Sequence, residues 1–282
     1  MQDNATSRTL LPAPIDDPEN WSVRRLRRII QAFPEMESYL EVGVEFGLTF
    51  EKVPMRLRVG VDPRPRFNLE ELPTGMTLYV QTSDTFFEDL DPVEQFDVIF
   101  LDGLHTYQQT YCDVINALQH CPRGIILADD IIPCDEVSAI PDLEESIGER
   151  RRRGLPGLLW HGDVFRMMLC IADHHPELNY LSITDPDNPQ ALIWKKRVDD
   201  RIRPVSAEVL ATYASREFLD VFENGVPSFF HPVSEDEGLT VAIDSLRTLR
   251  QQPRPLPVRI SSRLRRTVRR VCWKWARRDR LR

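Results

Sequence analysis

The chain has 282 residues, 41% of them apolar, which is enough for one large α/β domain with additions or two small domains and too apolar for global disorder. A net charge of −8 argues against nucleic acid as the partner of the body of the protein. That average hides an asymmetry: from Arg259 onward eleven Lys and Arg stand against one acid, Asp279, so the tail is about +10 and, within a total of −8, the remainder about −18.

Residues 1–19 are polar, contain Pro12, Pro14 and Pro18, and read as a flexible lead-in. Trp21–Phe33 carries apolar residues at helical spacing among arginines and predicts an amphipathic helix. Short apolar runs then recur, at Tyr39–Val42, Arg58–Val61, Thr77–Gln81, Phe96–Leu101 and Gly124–Ala128, with helical stretches between them. Runs of this kind suit strands buried on both faces, and the alternation predicts an α/β fold with a doubly wound, mostly parallel sheet. Glu144–Gly154, ending in Arg150–Arg153, reads as a solvated helix or a mobile loop. Gly162-Asp163-Val164-Phe165 opens a further helix, with Asp163 as its expected N-cap. Tyr180–Thr184 and Ala191–Trp194, joined by the turn-rich Asp185-Pro186-Asp187-Asn188-Pro189, predict an antiparallel hairpin at one edge, for seven strands in all. Residues 200–250 look mostly helical, and Gln251–Pro257 reads as a linker. The expected organisation is a ligand-binding domain over 20–197, a helical extension over 198–252, and a linker with a basic tail over 253–282.

Five scattered cysteines, Cys112, Cys121, Cys134, Cys170 and Cys272, suggest neither a disulfide framework nor a zinc site and point to a reducing compartment. The start, Met1-Gln2-Asp3-Asn4, lacks a basic stretch before an apolar run, so no signal peptide is expected. No run approaches the roughly 18 apolar residues of a membrane-spanning helix. The expected location is the cytoplasm, with a peripheral position at the inner face of the membrane left open by the tail.

In an open α/β sheet the ligand sits beyond the carboxyl ends of the strands. Strand one ends in Glu41-Val42-Gly43-Val44-Glu45-Phe46-Gly47, strand two in Asp62, strand three leads to Ser83-Asp84, strand four to Asp102 and His105, and strand five to Asp129-Asp130. Taken singly, Glu41, Asp62, Asp84 and Asp130 could each cap a helix, and His105 could hydrogen-bond a loop. Together, acids at five successive strand ends are hard to explain structurally, because crowded carboxylates raise one another's pKa. Gly43 and Gly47 allow close backbone approach to a ligand, and Asp62 can accept both hydroxyls of a ribose. A dinucleotide site would want a third glycine early in the helix, and Glu45 in the loop would repel a pyrophosphate. S-adenosylmethionine, with its sulfonium, ammonium, ribose diol and adenine amine, fits an acidic rim better.

These stretches, with Phe96-Asp97-Val98-Ile99-Phe100-Leu101-Asp102-Gly103-Leu104-His105-Thr106-Tyr107 and Gly124–Asp130, resemble class I S-adenosylmethionine-dependent methyltransferases. More narrowly, they resemble the subgroup with Asp-Gly-x-His-x-Tyr after strand four, which includes the macrocin-type sugar O-methyltransferases. The resemblance spans about 36–197 and implies a Rossmann-like methyltransferase fold. It implies that Glu41 and Gly43 line the methionine end, that Asp62 holds the ribose and that Asp84, beside Ser83, faces adenine. It also implies a divalent metal, Mg²⁺ or Mn²⁺, on Asp102, Asp129 and Asp130, with His105 as general base. Asp102 and His105 are thus the catalytic candidates. Many relatives have a single acid where this chain has Asp129-Asp130, and with only one pointing inward the metal site weakens.

Tyr107 and Tyr111 read as packing residues with substrate contact as the alternative. Trp160-His161-Gly162-Asp163 is expected to border the acceptor pocket, with His161 a reserve base, and His174-His175 to lie at the surface. In the tail, Ile260, Leu264, Val268, Val271 and Trp275 recur at helical spacing among arginines. Such a basic amphipathic helix suits an anionic membrane surface, an acidic partner or the acidic body itself, with a nucleic-acid arm less favoured. The reading is a metal-assisted O-methyltransferase acting on a hydroxyl of a sugar or small polar metabolite, as monomer or oligomer. Its rivals are an NAD-dependent oxidoreductase or epimerase, and a non-catalytic binding module tethered by its tail.

Overall fold

The computed structural model describes residues 20–67 and 72–253. The lead-in 1–19 and the basic tail from residue 254 lie outside the described residues, so the expectations placed on them stand on sequence alone.

Eight strands form one sheet: β1 (Ser38–Val42), β2 (Leu57–Val61), β3 (Met76–Tyr79), β4 (Val98–Leu101), β5 (Ile125–Ala128), β6 (Leu178–Asp185), β7 (Gln190–Lys195) and β8 (Pro232–Ser234). Their spatial order is β3-β2-β1-β4-β5-β7-β6-β8. β1 to β5 run parallel, so all five carboxyl ends share one edge. β7 is antiparallel to both β5 and β6. The order reverses direction between β1 and β4, the switch point at which such sheets open a cleft for ligands.

Side chains alternate along the buried strands and so feed two cores, one on each face. Leu40, Val42, Ile99, Leu101, Ile126 and Ala128 enter one core; Tyr39, Val98, Phe100, Ile125 and Leu127 enter the other. The first core is closed by α3 (Tyr107–His120) and α5 (Phe165–His174), through Tyr111, Val114, Met167 and Ile171. The second is closed by α1 (Trp21–Gln31) and α8 (Glu235–Gln251), through Leu26, Ile29, Leu239 and Leu246. The remaining helices are α2 (Ser83–Asp89), α4 (Leu143–Arg153), α6 (Ala207–Ala214) and α7 (Phe218–Phe222).

Two expectations change. The antiparallel hairpin is present but does not form the edge: β7 lies inside, against β5, and β8 adds outside β6 as an eighth strand. β8 has three residues and begins with Pro232, too short to leave a period-2 signature. Its helix α8 is tied to the sheet through the buried Arg25 guanidinium, which donates to Glu235 (2.9 Å), to the Gln190 amide oxygen (2.8 Å) and to the Asp187 carbonyl (2.7 Å). The stretch Glu144–Gly154 is a helix, capped by Asp142, which accepts from the Glu145 N–H at 2.8 Å, and closed by Gly154 in the left-handed conformation. It is not wholly solvated, since Arg150 is buried and donates to both oxygens of Asp135 at 2.9 Å.

Among the described residues no helix is long and apolar enough to cross a membrane. Cys121, Cys134 and Cys170 are free, buried thiols.

Candidate active site

The acids expected at the strand ends all arrive at the shared edge of β1–β5. Glu41 is buried and accepts from the Tyr39 hydroxyl at 2.6 Å. Burial raises its pKa well above the ordinary carboxylate value against that hydrogen bond, and the Asp102 and Asp62 charges push the same way. Gly43 has φ +87°, and a Cβ there would lie 1.8 Å from the carbonyl oxygen of Asp102, so the loops after β1 and β4 touch where only glycine fits. Gly47 also has positive φ, +74°, and faces the Phe67 ring. Glu45 points outward and pairs with Arg66 at 3.2 Å. Its backbone N–H donates to Asp62 Oδ2 at 2.8 Å, while Arg64 N–H donates to Asp62 Oδ1 at 2.6 Å. The Asp62 carboxylate is therefore held by two backbone donors and keeps acceptor capacity on both oxygens.

Ser83 and Asp84 open α2, but its N-cap is Thr82, which accepts from the Thr85 N–H at 3.3 Å. The Asp84 carboxylate is thus not spent on the cap. Instead Gln109 Nε2, from the first turn of α3, donates toward Ser83 Oγ and Asp84 Oδ1, each at 3.2 Å, and toward Asp113 Oδ1 at 3.1 Å. Asp113 is 3% exposed. Burial pushes its pKa up to about 7, with the Asp84 charge adding to the rise and the Ser83 and Gln109 hydrogen bonds opposing it. Neither Gln109 nor Asp113 stands out in the sequence, save that Asp113 is an acid on the apolar side of a helix.

Beyond β4 and β5, Asp102, His105 and Asp130 offer ligand atoms that all lie within 4.8 Å of one another. His105 Nε2 is 3.1 Å from Asp102 Oδ1, and its Nδ1 is 2.8 Å from Asp130 Oδ2, the latter an ion-pair contact off the line of the ring N–H. Burial opposes a proton on His105, but Asp130 and Asp102 outweigh it and hold the imidazole well above its ordinary value. Asp130 has φ +58° and is not a helix cap; burial raises its pKa, and His105 and His161 more than reverse that. Asp129 turns elsewhere: its Oδ1 accepts from the Asp130 N–H at 2.9 Å, and it lies outside the compact group of Asp102, His105 and Asp130. Burial, then the Asp130 and Asp102 charges, push Asp129 well above the carboxylate range. Of the two adjacent acids, Asp130 is the one that meets His105.

The Trp160-His161-Gly162-Asp163 stretch locks this group in place. The Trp160 ring stacks on His105, centroids 4.6 Å apart and 16° from parallel. A Cβ on Gly162 would lie 1.7 Å from the His105 carbonyl oxygen. His161 Nε2 stands 3.9 Å from Asp130 Oδ1, and burial lowers its pKa. Asp163 is not the N-cap of α5, a position held by Val164. Its buried carboxylate accepts from the Tyr107 N–H at 2.6 Å and pairs with Arg166, so it caps α3 from across the fold. Sequence-local capping rules could not anticipate a cap 56 residues away.

Tyr107 and Tyr111 are fully buried; their hydroxyls meet the Leu210 carbonyl (3.1 Å) and His175 Nε2 (2.9 Å). They pack. His174 is exposed as expected, but His175 is buried on Tyr111 and Glu177, contrary to a surface position.

Residues 40–131 match a family model described as a methyltransferase domain. That stretch runs from β1 through Asp130 and contains every strand-end acid, His105 and both loop glycines. Over that stretch the chain is similar to a methyltransferase domain. No curated protein matches the chain. Solved structures similar in outline include a Klebsiella pneumoniae protein assigned as an O-methyltransferase, 17% identical over 64% of this chain and 83% of that one, TM-score 0.41. The cofactor-bound protein Rv0187 from MTB is 16% identical over 66% and 83%, TM-score 0.40. An O-methyltransferase from Bacillus cereus in complex with SAH is 16% identical over 65% and 83%, TM-score 0.37.

Proposed function

We propose that the protein is an O-methyltransferase that moves the methyl group of S-adenosylmethionine to a hydroxyl of a sugar or other small polar metabolite. The observation that carries the reading is the row of acids at five parallel strand ends, with His105 seated between Asp102 and Asp130. Glu41, Gly43 and Gly47 receive the methionine end, Asp62 accepts the ribose hydroxyls, and Ser83 and Asp84 face the adenine. The preset Asp62 carboxylate supports this, because its two backbone donors fix the orientation in which it accepts.

His105 takes the proton of the acceptor hydroxyl as the oxygen forms its bond to the methyl carbon and the carbon–sulfur bond breaks, leaving S-adenosylhomocysteine and a methyl ether. Asp102 orients the imidazole through Nε2, and Trp160 holds its plane. Two carboxylates and an imidazole within 4.8 Å fit a divalent cation of the Mg²⁺ or Mn²⁺ kind, and the crowded acids favour positive charge there. Asp102 and Asp130 would hold it, with Asp129 beside them; when bound it would lower the pKa of the acceptor hydroxyl. Its charge would also offset the pull of Asp102 and Asp130 that raises the His105 pKa. The basic tail would place the enzyme on an anionic membrane surface or an acidic partner.

Titration calorimetry with S-adenosylhomocysteine and with NAD tests the cofactor. The first should bind and the second should not, and Asp62→Ala should abolish binding. Turnover is read as S-adenosylhomocysteine released against a panel of hydroxyl acceptors, with and without Mg²⁺ or Mn²⁺. His105→Ala should keep cofactor affinity and slow turnover at least about a hundredfold. No binding of S-adenosylhomocysteine with metal supplied would overturn the proposal.

A further inference from the structure

We propose that Gln109 and Asp113, one turn apart on α3, are positioning residues that make the cofactor site select a 6-aminopurine; the proposal rests on the S-adenosylmethionine reading above. Gln109 Nε2 stands within 3.1–3.2 Å of Ser83 Oγ, Asp84 Oδ1 and Asp113 Oδ1. Three acceptors around one atom, two of them carboxylate oxygens, decide which end of the amide faces them: the NH₂. A reversed amide would set its carbonyl oxygen against both acids. Gln109 thereby occupies Oδ1 of Asp84 from the α3 side, fixes the plane of that carboxyl, and leaves Oδ2 to accept from a ligand.

Asp113 is what holds the amide in this sense. It is 3% exposed, and no Lys or Arg pairs with it among the described residues. Its neighbours are Ser83, Gln109 and the Asp84 charge, and its Oδ2 would lie 3.7 Å from a Cβ on Gly103. It therefore stands between the two walls of the cleft, the start of α2 and the turn after β4. An unpaired buried acid in that place is costly as a mere helix–helix contact, and its geometric effect is to orient the acceptor that a base would meet.

An outward carboxylate oxygen held this way accepts from an exocyclic amine and opposes a carbonyl at the same ring position, since acceptor then faces acceptor. The test is calorimetric binding, to the full chain, of S-adenosylhomocysteine and of S-inosylhomocysteine, which has a 6-oxo group and an N1–H in place of the 6-amino group and bare N1. The natural protein should favour the amino compound at least about tenfold, the scale of one hydrogen bond to a charged group. Gln109→Leu should bring the two within about threefold, chiefly by weakening the amino compound. Asp113→Asn, nearly isosteric, should act in the same direction, because an amide at 113 offers a donor as well as an acceptor and frees Gln109 to turn over. General loosening of the fold would weaken both compounds alike and leave their ratio unchanged. Either folded variant keeping the natural ratio overturns the proposal, and so does a natural protein that binds both compounds equally. Binding of neither compound removes the cofactor reading itself, and this proposal with it.

Discussion

The two halves of the strand edge treat their acids differently. On the β1–β3 side each acid already has donors: Tyr39 for Glu41, two backbone N–H groups for Asp62, Gln109 for Asp84. On the β4–β5 side Asp102 and Asp130 flank His105, the main source of positive charge between them, and the Asp129 charge lies close by. The first half is a fixed set of acceptors, suited to hydroxyl and N–H donors. The second is a concentration of negative charge that a proton on His105 only partly offsets. One edge thus sets a fixed row of acceptors beside a charged centre a few residues away.

The strongest challenge to this division is Gly43→Ala, because Gly43 is where the halves touch. A Cβ 1.8 Å from the Asp102 carbonyl at φ +87° should cost more than about 3 kcal/mol in a denaturant titration and abolish cofactor binding. A variant of near-natural stability would mean that the two loops are not held against each other.

Next in size is the pH response of Asp113. Its pKa rises from 3.8 to about 7 on folding, so between those values the native state binds more protons than the unfolded chain. Stability from this group is therefore fully present below pH 3.8 and is lost as pH rises through about 7. Asp113→Asn should flatten that slope and raise stability at pH 8 relative to the natural protein, on the order of a few kcal/mol. An unchanged profile would place the charge elsewhere. His105 has the same sign: its raised pKa gives stability that is complete below the ordinary histidine range and lost as pH climbs through the folded value.

That histidine supplies the sharpest probe of the second half. In Asp130→Asn, NMR titration should find the His105 imidazole nearer its ordinary pKa of about 6.5, with S-adenosylhomocysteine affinity within about twofold of natural, since Asp130 belongs to the other half. Added Mn²⁺ should release protons from the natural protein at neutral pH, measured in buffers of different ionisation enthalpy. Silence in that measurement would count against a metal on Asp102 and Asp130. The smallest effect should come from Trp160→Leu, which removes the stack on His105 but no charge. A loss of turnover of about tenfold or less is expected, matching the roughly 1 kcal/mol of such a contact.

The parallel half of the fold was legible because its central strands β1, β4 and β5 are buried along nearly their whole length and so read as plain apolar runs, while β2 and β3 toward the edge are partly exposed. β1, β2, β4 and β5 fall within a residue or two of their expected bounds. The antiparallel part was legible only as elements. Which side of the hairpin faces β5 is settled by packing against β5 and α8, and β8 is too short to announce itself. Glu41, Asp62, Asp84, Asp102 and Asp130 could be placed along one edge of the sheet because a strand end followed by a turn has one destination in such a fold. Gln109, Trp160 and the Asp163 cap could not, since each acts on a residue far away in the chain.

Spacing of apolar runs and glycines along the chain was enough to dictate a parallel β1–β5 core with its acids on one rim, because strand period and loop length are local properties. The choice between Asp129 and Asp130, the anchoring of His105 under Trp160 and the turning of the Asp84 carboxyl by Gln109 arise from contacts across the fold. Those depend on which side chains are brought within about 3 Å of one another, the range at which hydrogen bonds form, and no linear pattern encodes that distance.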